Sequence, residues 1–225
     1  MTWNQIEFDN FIMENGIVGF FSEPIKLKSG RISYWYVNWR NVAEDVFLMN
    51  ELSNFLLEFI EYLKLDPDCF YGVPEGATKL GIISQFKWAM SKNPKKHQYK
   101  LVMGRANPKE HGDPKDRYFL GEPSGKIIIL EDVTTTGGSL LSTIEKIQEI
   151  NGEIISAIGL TNRDELRDDK KSVKEAVKEK GVDYYSMSNA LELLPKIVEK
   201  EKLAPDIIEH VRTYFNNHGI KSIKL

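Results

Sequence analysis

The sequence lacks the features that mark secreted and membrane-spanning proteins. Its single cysteine, Cys69, cannot form an internal disulfide, and its neighbours Phe70 and Tyr71 predict a small core residue, not a nucleophile. No stretch approaches the roughly 18 apolar residues needed to span a bilayer. Residues 1–20 also lack the basic start and apolar run of a secretory signal. We therefore expect a cytosolic protein without a membrane partner.

The chain also lacks a strong charge of either sign. Its 30 Lys and Arg against 33 Asp and Glu give a net charge of −3 at pH 7. This balance does not favour nucleic acid as the main partner. With 225 residues, 41% of them hydrophobic, the chain can bury one substantial α/β core, so we expect a single domain with appendages.

The most informative stretch spans residues 127–139. Four aliphatic residues, 127–130, predict a strand buried on both faces, as at the centre of a parallel sheet. Glu131 and Asp132 follow, and then a loop of threonine, glycine and serine. Apolar residues at helical spacing come next: Leu140, Leu141, Ile144 and Ile147. The pattern predicts a strand, a polar loop and the N-terminus of a helix.

Such a loop suits a phosphate monoester. Gly137 and Gly138 let backbone amides approach an anion, and the helix dipole favours negative charge there. Hydroxyl donors are supplied by Thr134, Thr135, Thr136 and Ser139. The acidic pair would repel a phosphate, so a ribose diol is its expected partner. The lysine of the P-loop pattern is absent, which argues against a nucleoside triphosphatase.

This segment resembles the phosphoribosyl-pyrophosphate signature of type I phosphoribosyltransferases. The resemblance implies that Glu131 and Asp132 hold the ribose hydroxyls, with Asp132 counted among the catalytic residues. It also implies that the loop beginning at Val133 holds the 5-phosphate. The signature names the donor substrate but does not name the base.

Along the chain, strands alternate with helices. We predict strands near residues 70–73, 99–103, 127–130, 153–160 and 182–187, helices at 48–63, 80–86 and 169–180, a β-hairpin at 24–38 and two amphipathic helices after residue 190. This alternation predicts an α/β fold with a doubly wound, mostly parallel sheet, whose ligands bind at the carboxyl ends of the strands. A small N-terminal hood of about residues 1–40 would join a core of about 45–187 and C-terminal helices of about 188–225. Those helices would pack on the sheet or on a second subunit.

Three further segments resemble orotate phosphoribosyltransferases. In the first, residues 27–33, the resemblance implies that Lys28 reaches the phosphates of the donor while the hood covers the base. Tyr36 and Val37 stand where the family has a pair of aromatic residues bordering orotate. Tyr34 and Trp35 are close by, and the sequence leaves open which ring faces the base.

The second segment, residues 105–112, resembles the mobile catalytic loop of that family. It carries Arg105, Lys109 and His111 at the family spacing, and Ala106 where relatives often have a lysine. The resemblance implies that these cations stabilise the leaving pyrophosphate and exclude water. It also implies a homodimer in which the loop of residues 105–124 closes over the neighbouring site.

The third segment contains Arg163, where the family places an arginine that reads orotate; its planar fork can bind a carboxylate with two parallel hydrogen bonds. Residues 70–76 also resemble the pyrophosphate loop of relatives, with Tyr71 where some have a lysine.

Together these resemblances imply transfer of a 5-phosphoribosyl group from phosphoribosyl pyrophosphate to orotate, with Mg²⁺ bound mainly through the substrate. Two alternatives remain open. One is a phosphoribosyltransferase for another nucleobase, and the other is a regulator that senses the donor while it binds nucleic acid. The second would need a basic face or a helix-turn-helix and would not need an Arg/Lys/His lid.

Overall fold

The computed structural model describes residues 3–27, 29–105, 111 and 117–225 of the chain. Its N-terminal part contains α1 (Gln5–Glu14), β1 (Val18–Lys26), β2 (Ile32–Val37), α2 (Arg40–Glu44) and α3 (Val46–Tyr62). The elements that follow are β3 (Cys69–Gly72), α4 (Thr78–Ser91), β4 (Met103–Gly104), β5 (Phe119–Leu120), β6 (Lys126–Thr134), α5 (Gly138–Glu149), β7 (Glu153–Asn162), α6 (Val173–Glu179), β8 (Tyr184–Asn189), α7 (Ala190–Glu201) and α8 (Pro205–His218).

The main sheet has four parallel strands in the order β3-β6-β7-β8. In β6, Ile127 and Ile129 pack into one apolar cluster, whereas Ile128 and Leu130 pack into a second cluster on the opposite face. This alternation follows from the two-residue period of a strand and explains why the run is apolar throughout. The predicted α/β class with a mostly parallel, doubly wound sheet is confirmed.

Helices cover both faces of this sheet. Residues of α1, α3, α4 and α7 share the cluster of Ile128, and residues of α5 and α6 share the cluster of Ile127. Because α4 follows β3 and α5 follows β6 onto opposite faces, the loops after these two neighbouring strands diverge. A crevice opens at such a divergence, and it is where ligands bind in open α/β sheets.

The predicted hood hairpin is present, with β1 and β2 antiparallel and Ile25 opposite Ser33. Helix α8 packs on it: the rings of Trp35 and Phe215 stack with their centroids 5.8 Å apart, and those of Tyr34 and His210 at 3.9 Å. The C-terminal helices therefore pack on this chain itself, α8 on the hood and α7 on the sheet.

Two predicted boundaries are wrong. The strand expected at residues 99–103 is reduced to β4, which pairs with β5 outside the main sheet, because residues 92–101 form turns and leave Leu101 exposed. The helix expected from residue 169 starts at Val173, because Ser172 forms a capping box with Glu175.

No helix in the described part of the chain is both long enough and apolar enough to cross a membrane.

Candidate active site

The loop after β3 meets the end of strand β6 at Gly76 and Asp132. A Cβ atom placed on Gly76 would overlap the carboxylate of Asp132, so only glycine lets the loop of residues 74–77 lie this close to the acidic pair. Asp132 Oδ1 also accepts a hydrogen bond from Val133 N at 2.8 Å. The sequence singled out this loop but not the role of Gly76, since the close approach joins residues 56 positions apart.

The acidic pair, Glu131 and Asp132, lies near the C-terminal end of strand β6 and not in the loop that follows. Glu131 is buried, with 7% of its surface exposed, and lies opposite Gly159 of β7. Asp132 is half-buried, which makes it the more accessible carboxylate of the crevice. The predicted order of strand, polar loop and helix is otherwise as observed.

The loop of residues 135–137 leads directly into helix α5. Gly137 is the N-cap residue with a φ of +71°, a conformation that favours glycine, and its Cβ position lies 3.0 Å from Val173 Cγ1. Gly138 is exposed, with open space around its Cβ position, and Thr135, Thr136 and Ser139 are half-buried. Backbone amides at the positive end of a helix dipole are thus presented to solvent, as in phosphate sites.

Thr134 departs from the predicted role. Its side chain is buried, and its hydroxyl shares a 2.5 Å hydrogen bond with the Tyr184 hydroxyl. Its carbonyl accepts a hydrogen bond from Arg163 N at 2.9 Å. Burial raises the pKa of Tyr184, which keeps this phenol protonated. The Thr134 hydroxyl therefore supports the base of the loop and does not face the loop interior.

Arg167 supports the loop from the other side. Its Nη1 donates a hydrogen bond to the carbonyl of Thr136, and its Nε lies 3.4 Å from a carboxylate oxygen of Asp169. The sequence did not identify this contact, because an arginine in a charged segment resembles any solvated side chain.

Arg163 lies under the hood strand and is only 1% exposed. Its Nε donates to Glu165 Oε1 at 2.6 Å, and its Nη2 to Ser33 Oγ at 3.3 Å. The guanidinium carbon stands 3.6 Å from the centre of the Trp35 ring. Its contact with a base stays a prediction.

Glu165 receives a second arginine. Arg31 Nη1 donates to Glu165 Oε2 at 2.6 Å, and Arg31 Nη2 donates to the carbonyl of Leu166 at 2.6 Å. A buried carboxylate is stabilised when it accepts hydrogen bonds from two cations. The sequence did not predict this triad. It connects the hood turn, which lies between β1 and β2 and includes residues 29–31, to the end of β7.

Two residues proposed to line the substrate site are core residues in the structure. Val37 is 2% exposed, because alternate residues of β2 face inward. It packs in the apolar cluster that also contains Trp35 and Ile128, here called the hood cluster. Tyr71 is 3% exposed, packs edge-on against Phe119, and burial raises its pKa to about 12. Tyr36 is half-buried against the hood cluster.

The structure describes two of the three basic residues predicted for the lid, Arg105 and His111. Arg105 is half-buried and its N–H donates to the carbonyl of Tyr118 at 2.9 Å, and His111 is exposed. Lys28 and Lys109 lie outside the described residues. Within the described ranges, no three His, Cys, Asp or Glu side chains cluster as a metal site would require.

Comparison with known proteins identifies the family of the chain. The orotate phosphoribosyltransferase of Rhodopseudomonas palustris (strain BisB5) is 32% identical over 175 residues, covering 76% of this chain and 87% of the relative. The chain belongs to the orotate phosphoribosyltransferase family. No family model matches it.

Solved structures of the orotate phosphoribosyltransferase family share the fold. The enzyme of Francisella tularensis superposes with a TM-score of 0.68 at 19% identity, over 95% of this chain and 99% of that chain. The Mycobacterium tuberculosis H37Rv enzyme in complex with 5-phospho-α-D-ribosyl 1-diphosphate has a TM-score of 0.53 at 18% identity, over 84% and 98% of the two chains.

Proposed function

We propose that this protein transfers the 5-phosphoribosyl group from phosphoribosyl pyrophosphate to orotate. The products are orotidine 5′-monophosphate and pyrophosphate, and the reaction is a step of pyrimidine synthesis. The observation that carries the proposal is the close contact of Asp132 with Gly76 at the crevice between β3 and β6, in a chain of the orotate phosphoribosyltransferase family. The acidic pair and the exposed N-terminus of α5 suit a ribose 5-phosphate.

Displacement at the anomeric carbon builds positive charge on the sugar and negative charge on the leaving pyrophosphate. Catalysis then depends on positioning and electrostatics, and no covalent nucleophile is needed. Asp132 and Glu131 would orient the ribose hydroxyls. The segment from Val133 to Ser139 would hold the 5-phosphate, with Thr134 contributing through its backbone because its hydroxyl is engaged by Tyr184.

The pyrophosphate would be held by Lys28, Arg105, Lys109 and His111, and the last three would arrive with a lid from the partner subunit of a homodimer. Mg²⁺ would be bound mainly through the oxygens of the donor substrate and would neutralise phosphate charge. Cytosolic location remains an expectation from the sequence.

Base recognition would fall to the hood and to Arg163, which lies under β2 in contact with Ser33 and Trp35. The domain arrangement is also a proposal: one domain, with a hood of about residues 1–40 and C-terminal helices of about 188–225 on a core of about 45–187. It is supported by one apolar cluster that contains Trp35, Ile128 and Val211 together.

The test follows orotate absorbance after mixing the protein with phosphoribosyl pyrophosphate and Mg²⁺, with uracil, hypoxanthine and adenine assayed in parallel. A variant carrying Lys109→Ala and His111→Ala serves as the control for the lid. Orotate consumption that the variant loses supports the proposal. Consumption of another base instead of orotate would overturn the assignment of the acceptor while leaving the donor site intact.

A further inference from the structure

A second cleft lies between the hood turn and the end of α8. It has a volume of about 580 Å³ and is formed by the hood turn, the connection between β7 and α6, and the last residues of α8. We call it the basic cleft, and its ionisable residues are Arg31, Arg167, Lys170, His218 and Asp168. Four of these five are basic, and they come from three separate segments of the chain.

The positive groups are incompletely neutralised, although Arg167 Nε lies 3.4 Å from an exposed carboxylate of Asp169. Arg31 shares the single carboxylate of Glu165 with Arg163, so that buried triad carries a net positive charge. Asp168 lies 3.6 Å from Arg31 Nη2, but its carboxylate is fully exposed, where ion pairs contribute little. Across the described ranges, Lys170 has no carboxylate within ion-pair distance.

The positive charge of the cleft affects the pKa of His218. It is half-buried at the end of α8, and burial together with the nearby Arg31 and Lys170 lowers its pKa, while Glu165 acts in the opposite direction. Its ring also packs beside Tyr214, with centroids 5.0 Å apart. Two cationic neighbours oppose protonation of His218, and an anion bound in the cleft would favour it.

We propose that the basic cleft binds a small, multiply charged anion of the phosphate class. Lys170 offers an ammonium that no carboxylate of the described residues pairs with, and Ser29 lines the cleft with a hydroxyl-bearing side chain. Arg31 and Arg167 contribute positive charge, although their guanidinium groups already donate to protein acceptors. This assignment is independent of the transfer reaction. It concerns a site distinct from the phosphate loop, to which it is joined through the Arg167 contact with Thr136.

The experiment uses His218 as a local reporter in the full-length protein. The imidazole proton resonances are followed by NMR while inorganic phosphate is added at constant ionic strength, and His218 is assigned with a His218→Gln variant. Phosphate is expected to shift the His218 resonance saturably and to raise its pKa, because a bound anion stabilises the imidazolium.

Two variants make the test specific. Lys170→Asn removes the cleft ammonium at a residue with a φ of +66°, and Lys202→Asn is the matched control, an exposed lysine with a φ of +50° at the end of α7. We expect Lys170→Asn to weaken phosphate binding about tenfold, the loss of one charge-assisted contact. Lys202→Asn should leave it unchanged.

A third variant separates the two possible phosphate sites. Thr135→Ala alters the loop before α5 and should leave the His218 response intact. The proposal is overturned if His218 shows no saturable response, if Lys170→Asn binds phosphate as the wild type does, or if Thr135→Ala abolishes the response. The last result would mean that His218 reports binding at the phosphate loop through Arg167.

Discussion

The backbone of Gly76 lies against the carboxylate of Asp132, closer than any residue with a Cβ atom could approach. This contact joins the loop after β3 to the end of β6, at the crevice where the two loops diverge onto opposite faces of the sheet. The position of Asp132 therefore depends on a residue that carries no functional group.

Replacing Gly76 by alanine is expected to displace Asp132 while the fold is retained. Because small displacements of catalytic groups cost on the order of 100-fold in rate, we expect kcat/KM for the donor to fall by about that factor. Steady-state kinetics with varied phosphoribosyl pyrophosphate measures the loss. Gly19→Ala is the control, since its Cβ would meet only Phe21 at an ordinary 3.6 Å. Unchanged donor kinetics in Gly76→Ala would show that this contact does not position Asp132.

Tyr71 and Gly104 offer a double-mutant cycle. A Cβ on Gly104 would overlap the Tyr71 hydroxyl and stand 2.6 Å from Pro74 Cγ. Gly104→Ala should destabilise the protein by about 2 kcal/mol through overpacking. Adding Tyr71→Phe removes the first overlap but not the second, so urea unfolding should show partial rescue. Additive effects of the two changes would contradict the contact.

Tyr71 illustrates which features of this protein are predictable from its sequence and which are not. The four aliphatic residues of β6, Gly137 and the helix after it were predictable, because their periodicity and loop chemistry are local. The burial of Tyr71 and Val37 was not, since a motif position indicates where relatives bind substrate but not which way a substituted side chain turns. The same limit applies to Thr134, whose partner Tyr184 is 50 residues away.

Glu165 should be important for stability. Its side chain is fully buried between Arg31 and Arg163. Glu165→Gln would leave Arg163 without a counter-charge among the described residues, and would leave Arg31 only the exposed carboxylate of Asp168. We expect a loss of about 3 kcal/mol in the free energy of unfolding, with little dependence on salt. Glu179→Gln, which removes an exposed ion pair with Lys171, is the matched control and should change little. Equal effects of the two variants would rule out a special role for the triad.

Asp164 should make stability depend on pH. Burial raises its pKa to about 6, and its Oδ2 accepts a hydrogen bond from Leu191 N at 3.0 Å. The folded state then binds more protons than the unfolded state between about pH 4 and pH 6, so this group lowers the stability as pH rises through that window.

The Asp164→Asn variant removes this titration. We expect the difference in free energy of unfolding, variant minus wild type, to increase by about 2 kcal/mol from pH 4 to pH 7. Urea unfolding at several pH values measures this difference. A difference between the two proteins that stays constant with pH would contradict the raised pKa.

Arg163 can be tested for base recognition separately from its structural contacts. Arg163→Lys keeps the positive charge but loses the planar fork. If Arg163 reads the base, KM for orotate should rise at least about tenfold while KM for the donor stays constant. Loss of stability with both KM values unchanged would assign Arg163 to the hood framework alone.

The packing of α8 on the hood determines when the hood can be finished during synthesis. Trp35 leaves the ribosome early, but Phe215, the ring that stacks on it, is made 180 residues later. Glu165, the carboxylate shared by Arg31 and Arg163, is also made long after the hairpin. The first β-hairpin of the chain therefore lacks its packing partner until the last helix has been made, so we expect the hood to be completed late in folding.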